Sequence, residues 1–213
     1  MYLFNRRAVV APTGGMQDAM DWAVRITAKV NALSEVPVNL WTSVFSPQLG
    51  TLSWTTVVED LSQLEALEAK PIADGGYMSL VAEGSSFTTG QPLDDQLSRL
   101  LHIDADGDAA SSEYASSVTA VSAPGHAVEA VTTGIEIAQR VKSITGCPTH
   151  FGTAITGDYG GVGWIVLYDG IDQMQAAEEA LAGDETFAQY LDAGAAGAYL
   201  AGHSVQSAWR KLA

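Results

Sequence analysis

The sequence predicts an α+β fold in which two tandem βαββαβ repeats pack their antiparallel sheets face to face as an α/β barrel with pseudo-twofold symmetry. Three observations predict it. The chain repeats itself at an offset that changes by only one residue at a time, each copy carries the same order of strand and helix signals, and that order is one whose sheet is covered by helices on one face only.

The repeat is read directly from the residues. Ala19, Ile26, Val30, Pro37, Thr42 and Gly50 recur in register as Ala130, Ile137, Val141, Pro148, Thr153 and Gly161. One residue is lost in the following hairpin, after which Trp54, Gln63, Ala66, Glu68, Asp74 and Gly84 recur as Trp164, Gln173, Ala176, Glu178, Asp184 and Gly194. Upstream, Ala11-Pro12 matches Ala123-Pro124. A register that preserves Trp, Pro and Gly together marks a duplication, not chance similarity between amphipathic stretches. Residues 1–101 form the first repeat, 102–116 a linker and 117–213 the second repeat. The linker is small, polar and acidic, without apolar periodicity. Its alternating Asp104, Asp106 and Asp108 suggest a calcium loop, but Ala109 and Ala115 stand where such a loop needs Gly and a bidentate Glu. It reads as a solvated connector.

The elements follow in order. Arg6 to Ala11 and Val118 to Ala123 are short apolar-rich runs ended by Pro12 and Pro124, as expected of strands stopped by a residue without an amide hydrogen. Met16, Met20, Ala23, Val24, Thr27 and Val30 keep a three-and-four spacing, repeated by Ala127, Val131, Gly134, Ile135, Ala138 and Val141, which predicts an amphipathic helix in each copy. Two strands come next, Val36 to Phe45 and Trp54 to Glu59, joined through Ser46-Pro47-Gln48-Leu49-Gly50. In the second copy Thr149 to Thr156 and Trp164 to Asp169 flank Gly157-Asp158-Tyr159-Gly160-Gly161, and Gly and Pro at that spacing signal a hairpin. Asp60 with Gln63 opens a second helix with Leu61, Leu64 and Leu67 on one face, and Ile171, Met174 and Ala177 repeat it.

A break at Asp74-Gly75-Gly76 precedes a short helical turn, Tyr77, Leu80 and Val81, matched by Phe187, Tyr190 and Leu191. Gly84 and Gly194 stand where C-terminal glycine caps would, and final strands are expected over Ser85 to Thr89 and Ala198 to Ala201. Gly90, Leu93, Leu97 and Leu100, with Gly202, Val205, Trp209 and Leu212, then suggest a short terminal helix in each copy. The resulting order is the ferredoxin-like unit, whose sheet keeps one open face. Pairing two open faces removes an exposed apolar patch.

Composition narrows the function. The 213 residues carry 25 Asp+Glu against 10 Lys+Arg, a formal net charge of −15, which repels phosphate backbones and argues against nucleic acid as a partner. The single Cys147 excludes an internal disulfide framework. No uninterrupted apolar stretch approaches the roughly 20 residues of a membrane helix, so no membrane partner is expected. The start, with Arg6-Arg7 after a short apolar patch, does not read as a secretory signal, and a cytoplasmic setting is expected.

The element order, the third strands Trp54-Thr-Thr-Val-Val-Glu-Asp-Leu and Trp164-Ile-Val-Leu-Tyr-Asp-Gly-Ile, and the Leu/Glu/Ala-rich helices after them resemble the dimeric α/β-barrel superfamily. The resemblance covers nearly the whole chain and is to the tandem-duplicated form of proteins similar to the NIPSNAP family. It implies a barrel made within one chain. The superfamily includes cofactor-free monooxygenases acting on polycyclic aromatics, haem-degrading enzymes, haem peroxidases, lactone isomerases and ligand-binding or regulatory modules, and fold alone selects none of them. Haem-degrading relatives use a helix-borne axial His; the matching helices here contain none, and no cofactor is expected.

Strand parity selects the candidate site residues. Val38, Leu40, Thr42 and Val44, with Thr149, Phe151, Thr153 and Ile155, are assigned to the helix-covered face. The opposite set is Asn39, Trp41, Ser43 and Phe45 with His150, Gly152, Ala154 and Thr156, and Trp54, Thr56 and Val58 with Trp164, Val166 and Tyr168 are expected to join it. His150 and Asn39 are the candidate catalytic residues, because an imidazole suits proton transfer near neutral pH. Trp41, Trp54, Trp164, Tyr168 and Ser43 are the candidate ligand contacts. The plainer alternative is a filled core with hydrogen-bonded His150 and satisfied indoles. The four His residues show no metal-ligand spacing, and no metal is expected. Two functions follow: a barrel protein binding a small apolar or aromatic ligand or a protein partner, or a cofactor-independent monooxygenase or isomerase acting on an aromatic or polyketide-like substrate. A homodimer is compatible with either.

Overall fold

The computed structural model describes residues 1–11, 15–89 and 93–213, the side chains of 194–196 excepted. Pro12 and Gly90, read above as a strand stop and a helix start, lie outside the described residues. Eight strands, β1 (Tyr2–Val9), β2 (Asn39–Val44), β3 (Thr51–Val58), β4 (Asp94–His102), β5 (Tyr114–Val121), β6 (Thr149–Ala154), β7 (Gly161–Tyr168) and β8 (Val205–Lys211), are hydrogen-bonded in the order β1-β3-β2-β8-β5-β7-β6-β4, an antiparallel closed barrel, and with the helices this makes the predicted α+β fold. The chain divides into two compact units, Met1–Leu97 with Trp209–Ala213, and Ser98–Ala208.

Unit 1 holds β1 (Tyr2–Val9), α1 (Met16–Leu33), β2 (Asn39–Val44), β3 (Thr51–Val58), α2 (Leu61–Ile72) and α3 (Gly75–Gly84). Strand β3 is central, pairing Arg6 with Trp54 on one side and Leu40 with Trp54 on the other. The chain's end is added beside β2, where Leu40 N–H donates to Ala213 and Leu212 N–H donates to Leu40. Helix α1 buries Ala19, Trp22, Ala23 and Ile26 against Leu40 and Leu52. The Asp60 carboxylate accepts from Gln63 N–H at 2.9 Å, and the Gln63 side chain accepts from Glu59 N–H at 2.8 Å, so the predicted start of α2 is capped as expected.

Unit 2 repeats this order with β5 (Tyr114–Val121), α4 (Ala127–Thr145), β6 (Thr149–Ala154), β7 (Gly161–Tyr168), α5 (Ile171–Gly183) and α6 (Glu185–Tyr190). Strand β7 pairs Trp164 with Val118 and with Phe151. Asp74 and Asp184 cap α3 and α6 alike, each accepting a backbone N–H at 2.8 Å, from Tyr77 and Phe187. The break read at Asp74 is therefore a helix start.

The ends of the repeats differ from the expectation. The fourth strands are β4 (Asp94–His102) and β8 (Val205–Lys211), where terminal helices were predicted. Ser85 to Thr89 and Ala198 to Ala201 contribute only the isolated bridges Val10 with Thr88 and Ser122 with Tyr199. Leu93, Leu97 and Leu100 keep a helical spacing, but the ladder to β6 decides the outcome, and exposure then alternates from Ser98 to His102 as in a strand. Gly84 closes α3 from within and is not a cap, and Gly194 lies in a π-helical turn, Leu191–Ala195. Among the described residues, no helix is long and apolar enough to cross a membrane.

Candidate functional site

Register decides which face each aromatic residue occupies. Directly opposed residues on paired strands share a face. Leu40 opposes Trp54, and Phe151 opposes Trp164. Leu40 and Phe151 pack under α1 and α4, so Trp54, Thr56 and Val58, with Trp164, Val166 and Tyr168, also face the helices. This corrects the expected grouping of Trp54, Trp164 and Tyr168 with Trp41 and His150. The strands begin three residues before each tryptophan, at Thr51 and Gly161, and the parity between paired strands follows from register, which no local pattern specifies. Trp54 donates its indole N–H to Thr27 Oγ1 at 2.8 Å, and Trp164 donates to the Gly134 carbonyl at 2.8 Å.

Asn39, Trp41 and Ser43 do occupy the other face of the unit 1 sheet, with Thr55 and Ser53 opposite Asn39 and Trp41. Trp41 is buried and donates its indole N–H to Thr55 Oγ1 at 2.9 Å. Ser43 donates to Gln48 O and accepts from Thr51 N–H, which closes the hairpin.

His150 lies in unit 2, where Nδ1 accepts from Asp104 N–H at 3.3 Å. Gly107 lies over the imidazole: a Cβ there would stand 2.6 Å from Cε1. The Asp104 carboxylate in turn accepts from Thr149 N–H at 2.8 Å, so part of the acidic connector is packed against β6. Burial lowers the His150 pKa, with Asp104 opposing, which favours neutral imidazole. Tyr168 shares a 2.8 Å hydrogen bond with Ser116, and burial pushes its phenol up to about 12.

The notable space in unit 1 lies between its sheet and its helices. A cavity of about 620 Å³ is lined by Phe4 and Arg6 of β1, Trp22, Ile26 and Val30 of α1, Trp54 and Thr56 of β3, Leu67 and Glu68 of α2, and Tyr77, Met78 and Val81 of α3. Trp22 and Trp54 form an edge-to-face pair in its wall, 5.9 Å between centroids and 80° between planes. Trp22 is held by its indole N–H on Leu80 O at 2.8 Å and lies against Gly84, where a Cβ would come within 2.2 Å of Cζ2. Glycine at 84 is thus a packing requirement.

Charge enters this wall through Arg6. Its Nε and Nη2 grip Asp95 at 2.7 and 2.6 Å, and Nη2 also donates to Glu68 at 2.9 Å. The Asp95 hydrogen bond raises the guanidinium pKa above its ordinary value despite burial. One cation therefore faces two carboxylates. Tyr77 and Thr88 also line the cavity.

Sequence reasoning missed Arg6, Trp22, Glu68 and Tyr77. The signal lay in the departures between copies: Arg6 matches Val118, Trp22 matches Thr133 and Tyr77 matches Phe187. In unit 2 the corresponding layer is a packed aromatic core. Phe151 occupies the room left by Gly134, where a Cβ would be 2.2 Å from its ring, and Trp164 lies 5.2 Å from Phe151 and 5.5 Å from Tyr199. Among the described residues, no group of three His, Cys, Asp or Glu side chains is placed to hold a metal ion.

No protein-family profile matches the chain, and no curated protein sequence matches it. Solved structures do. A candidate monooxygenase from Fusobacterium nucleatum superposes with a TM-score of 0.73 at 12% identity, over 100% of this chain and 92% of its own. Another candidate monooxygenase, from Lactobacillus acidophilus, gives 0.68 at 10% identity, over 100% and 94%. An anthrone oxidase-like protein gives 0.63 at 14% identity, over 99% and 90%. At such identities the likeness is one of fold, and the chain has the α+β-barrel fold of these proteins.

Proposed function

We propose that this chain is an α+β-barrel protein that binds one small, largely apolar molecule in the cavity of unit 1. The cavity itself carries the proposal: about 620 Å³, walled by paired tryptophans and aliphatic side chains, with its charge confined to Arg6 and Glu68. Ligand pockets generally span about 300–1,000 Å³ and combine apolar walls with a few polar groups. The test is equilibrium dialysis with 2-naphthylmethanol. Saturable binding to the wild-type chain is expected, with affinity reduced about tenfold or more by Val81→Phe, which places a ring in the cavity from a partly exposed position. Absence of binding, or binding unchanged in a folded Val81→Phe variant, would overturn the proposal.

A second reading is a cofactor-independent monooxygenase or isomerase acting on an aromatic or polyketide-like substrate. It is favoured by a carboxylate, Glu68, lining the same apolar space, and by what the structural neighbours are called. Under this reading Glu68 is the proposed base and Trp54, beside it in the cavity wall, a proposed ligand contact; the alternatives are, within unit 1, Asn39 as a hydrogen-bonding residue with Trp41 and Ser43, and, within unit 2, His150 as the base with Trp164 and Tyr168. Turnover of an aromatic substrate lost on Glu68→Gln would support it, and loss only on His150→Gln would move the chemistry to unit 2. We also propose a NIPSNAP-like duplication with repeats over 1–101 and 117–213, a cytoplasmic setting in keeping with one buried thiol, and a homodimer as the assembly to test.

A further inference from the structure

We propose that the unit 1 cavity selects apolar molecules that carry a hydrogen-bond donor, an alcohol or an ammonium group, and rejects carboxylates, with Glu68 as the recognising residue. This rests on the cavity being a ligand site. An arginine in an apolar pocket ordinarily suggests an anionic ligand, but here the guanidinium is already committed. Asp95 takes Nε and Nη2, and Glu68 takes Nη2 again. Arg6 with its two carboxylates sums to one negative charge.

The other polar groups in the wall are mostly spent internally. Trp22, Trp54, Thr56 and Ser85 donate to Leu80 O, Thr27 Oγ1, Pro37 O and Ala82 O. Glu68 accepts one hydrogen bond through Oε1, and among the described residues its Oε2 has no protein donor. That oxygen has acceptor capacity left and no proton to offer, so it rewards a hydroxyl or an ammonium and repels a carboxylate. The duplication supplies a comparison: Glu178 repeats Glu68, but Val118 stands in place of Arg6, so the arginine that holds this carboxylate in place belongs to the first copy alone.

The experiment uses the full chain and four matched probes: naphthalene, 2-naphthylmethanol, 2-naphthylmethylammonium and 2-naphthoate, followed by equilibrium dialysis at low and high salt. The alcohol and the ammonium are expected to bind about tenfold or more tightly than the carboxylate, with the ammonium advantage shrinking in salt. Glu68→Gln should reduce the discrimination severalfold. Asp95→Asn, which releases one hold on Arg6, should raise carboxylate affinity, and the two variants keep the test valid if one of them fails to fold. Equal or tighter binding of the carboxylate by a wild-type chain that binds naphthalene would overturn the selectivity and leave the cavity reading intact. Failure of all four probes would instead remove the cavity reading on which the selectivity rests.

Discussion

Gly84→Ala tests the wall of the cavity with a single methyl group. Carbon atoms pack best at about 3.5–4.0 Å, and the new Cβ would sit 2.2, 2.7 and 2.9 Å from Cζ2, Cε2 and Cη2 of Trp22, an overlap of more than an ångström with the nearest. The ring cannot turn aside cheaply, because Trp22 is buried and its N–H is fixed on Leu80 O. Overpacking of this kind costs about 1–3 kcal/mol. Against it stands the better helix propensity of alanine, up to about 1 kcal/mol in a helix interior and less at the last residue of α3. The net expectation is destabilisation by roughly 1–2 kcal/mol, a fall in Tm of about 2–8 °C for a chain of this size. The assay is urea denaturation followed by tryptophan fluorescence, with the change in native emission between wild type and the variant as a second readout of the Trp22 environment among the five tryptophans. A variant as stable as wild type or more so, with unchanged emission, would show that the indole does not rest on this glycine.

Two further perturbations address unit 2. Tyr168→Phe leaves the buried Ser116 hydroxyl without its partner and should cost about 1–3 kcal/mol in denaturant midpoint measurements. The wild-type phenol, raised from 10.0 to about 12, contributes stability that is fully present below pH 10 and lost as pH rises through about 12; the variant should lack this alkaline loss. His150 has a folded-state pKa below its ordinary 6.5, so its contribution is complete above that pH and is lost as pH falls below it. Stability curves from pH 7.5 to 5 should therefore slope less in His150→Gln than in wild type, and parallel slopes would contradict the buried, neutral imidazole.

The fold was largely legible because duplication writes every signal twice. A helix start seen at Asp60 and Gln63 gains weight when Asp169 N–H donates to the Gln173 side chain in the same way. The fourth strands were not legible, because Leu93, Leu97 and Leu100 satisfy a helical spacing and only the ladder from β4 to β6 overrides it. For the site, parity within β2 correctly separated Leu40 from Trp41, but parity between strands needs the register, which no local pattern specifies. Trp41 therefore lies on the expected face, and Trp54 and Trp164 lie on the opposite one. Arg6 was read only as part of a strand, since its partners Glu68 and Asp95 are distant in sequence. Reading the repeat for its differences, Arg6 against Val118 and Trp22 against Thr133, would have pointed to the first copy.

A crystal structure of the full chain soaked with 2-naphthylmethanol tests the central claim most directly. The account predicts density for the ring against Trp22 and Trp54, with the hydroxyl within hydrogen-bond distance of Glu68. Density for the probe only at other positions, or a cavity closed by rearranged side chains, would contradict it.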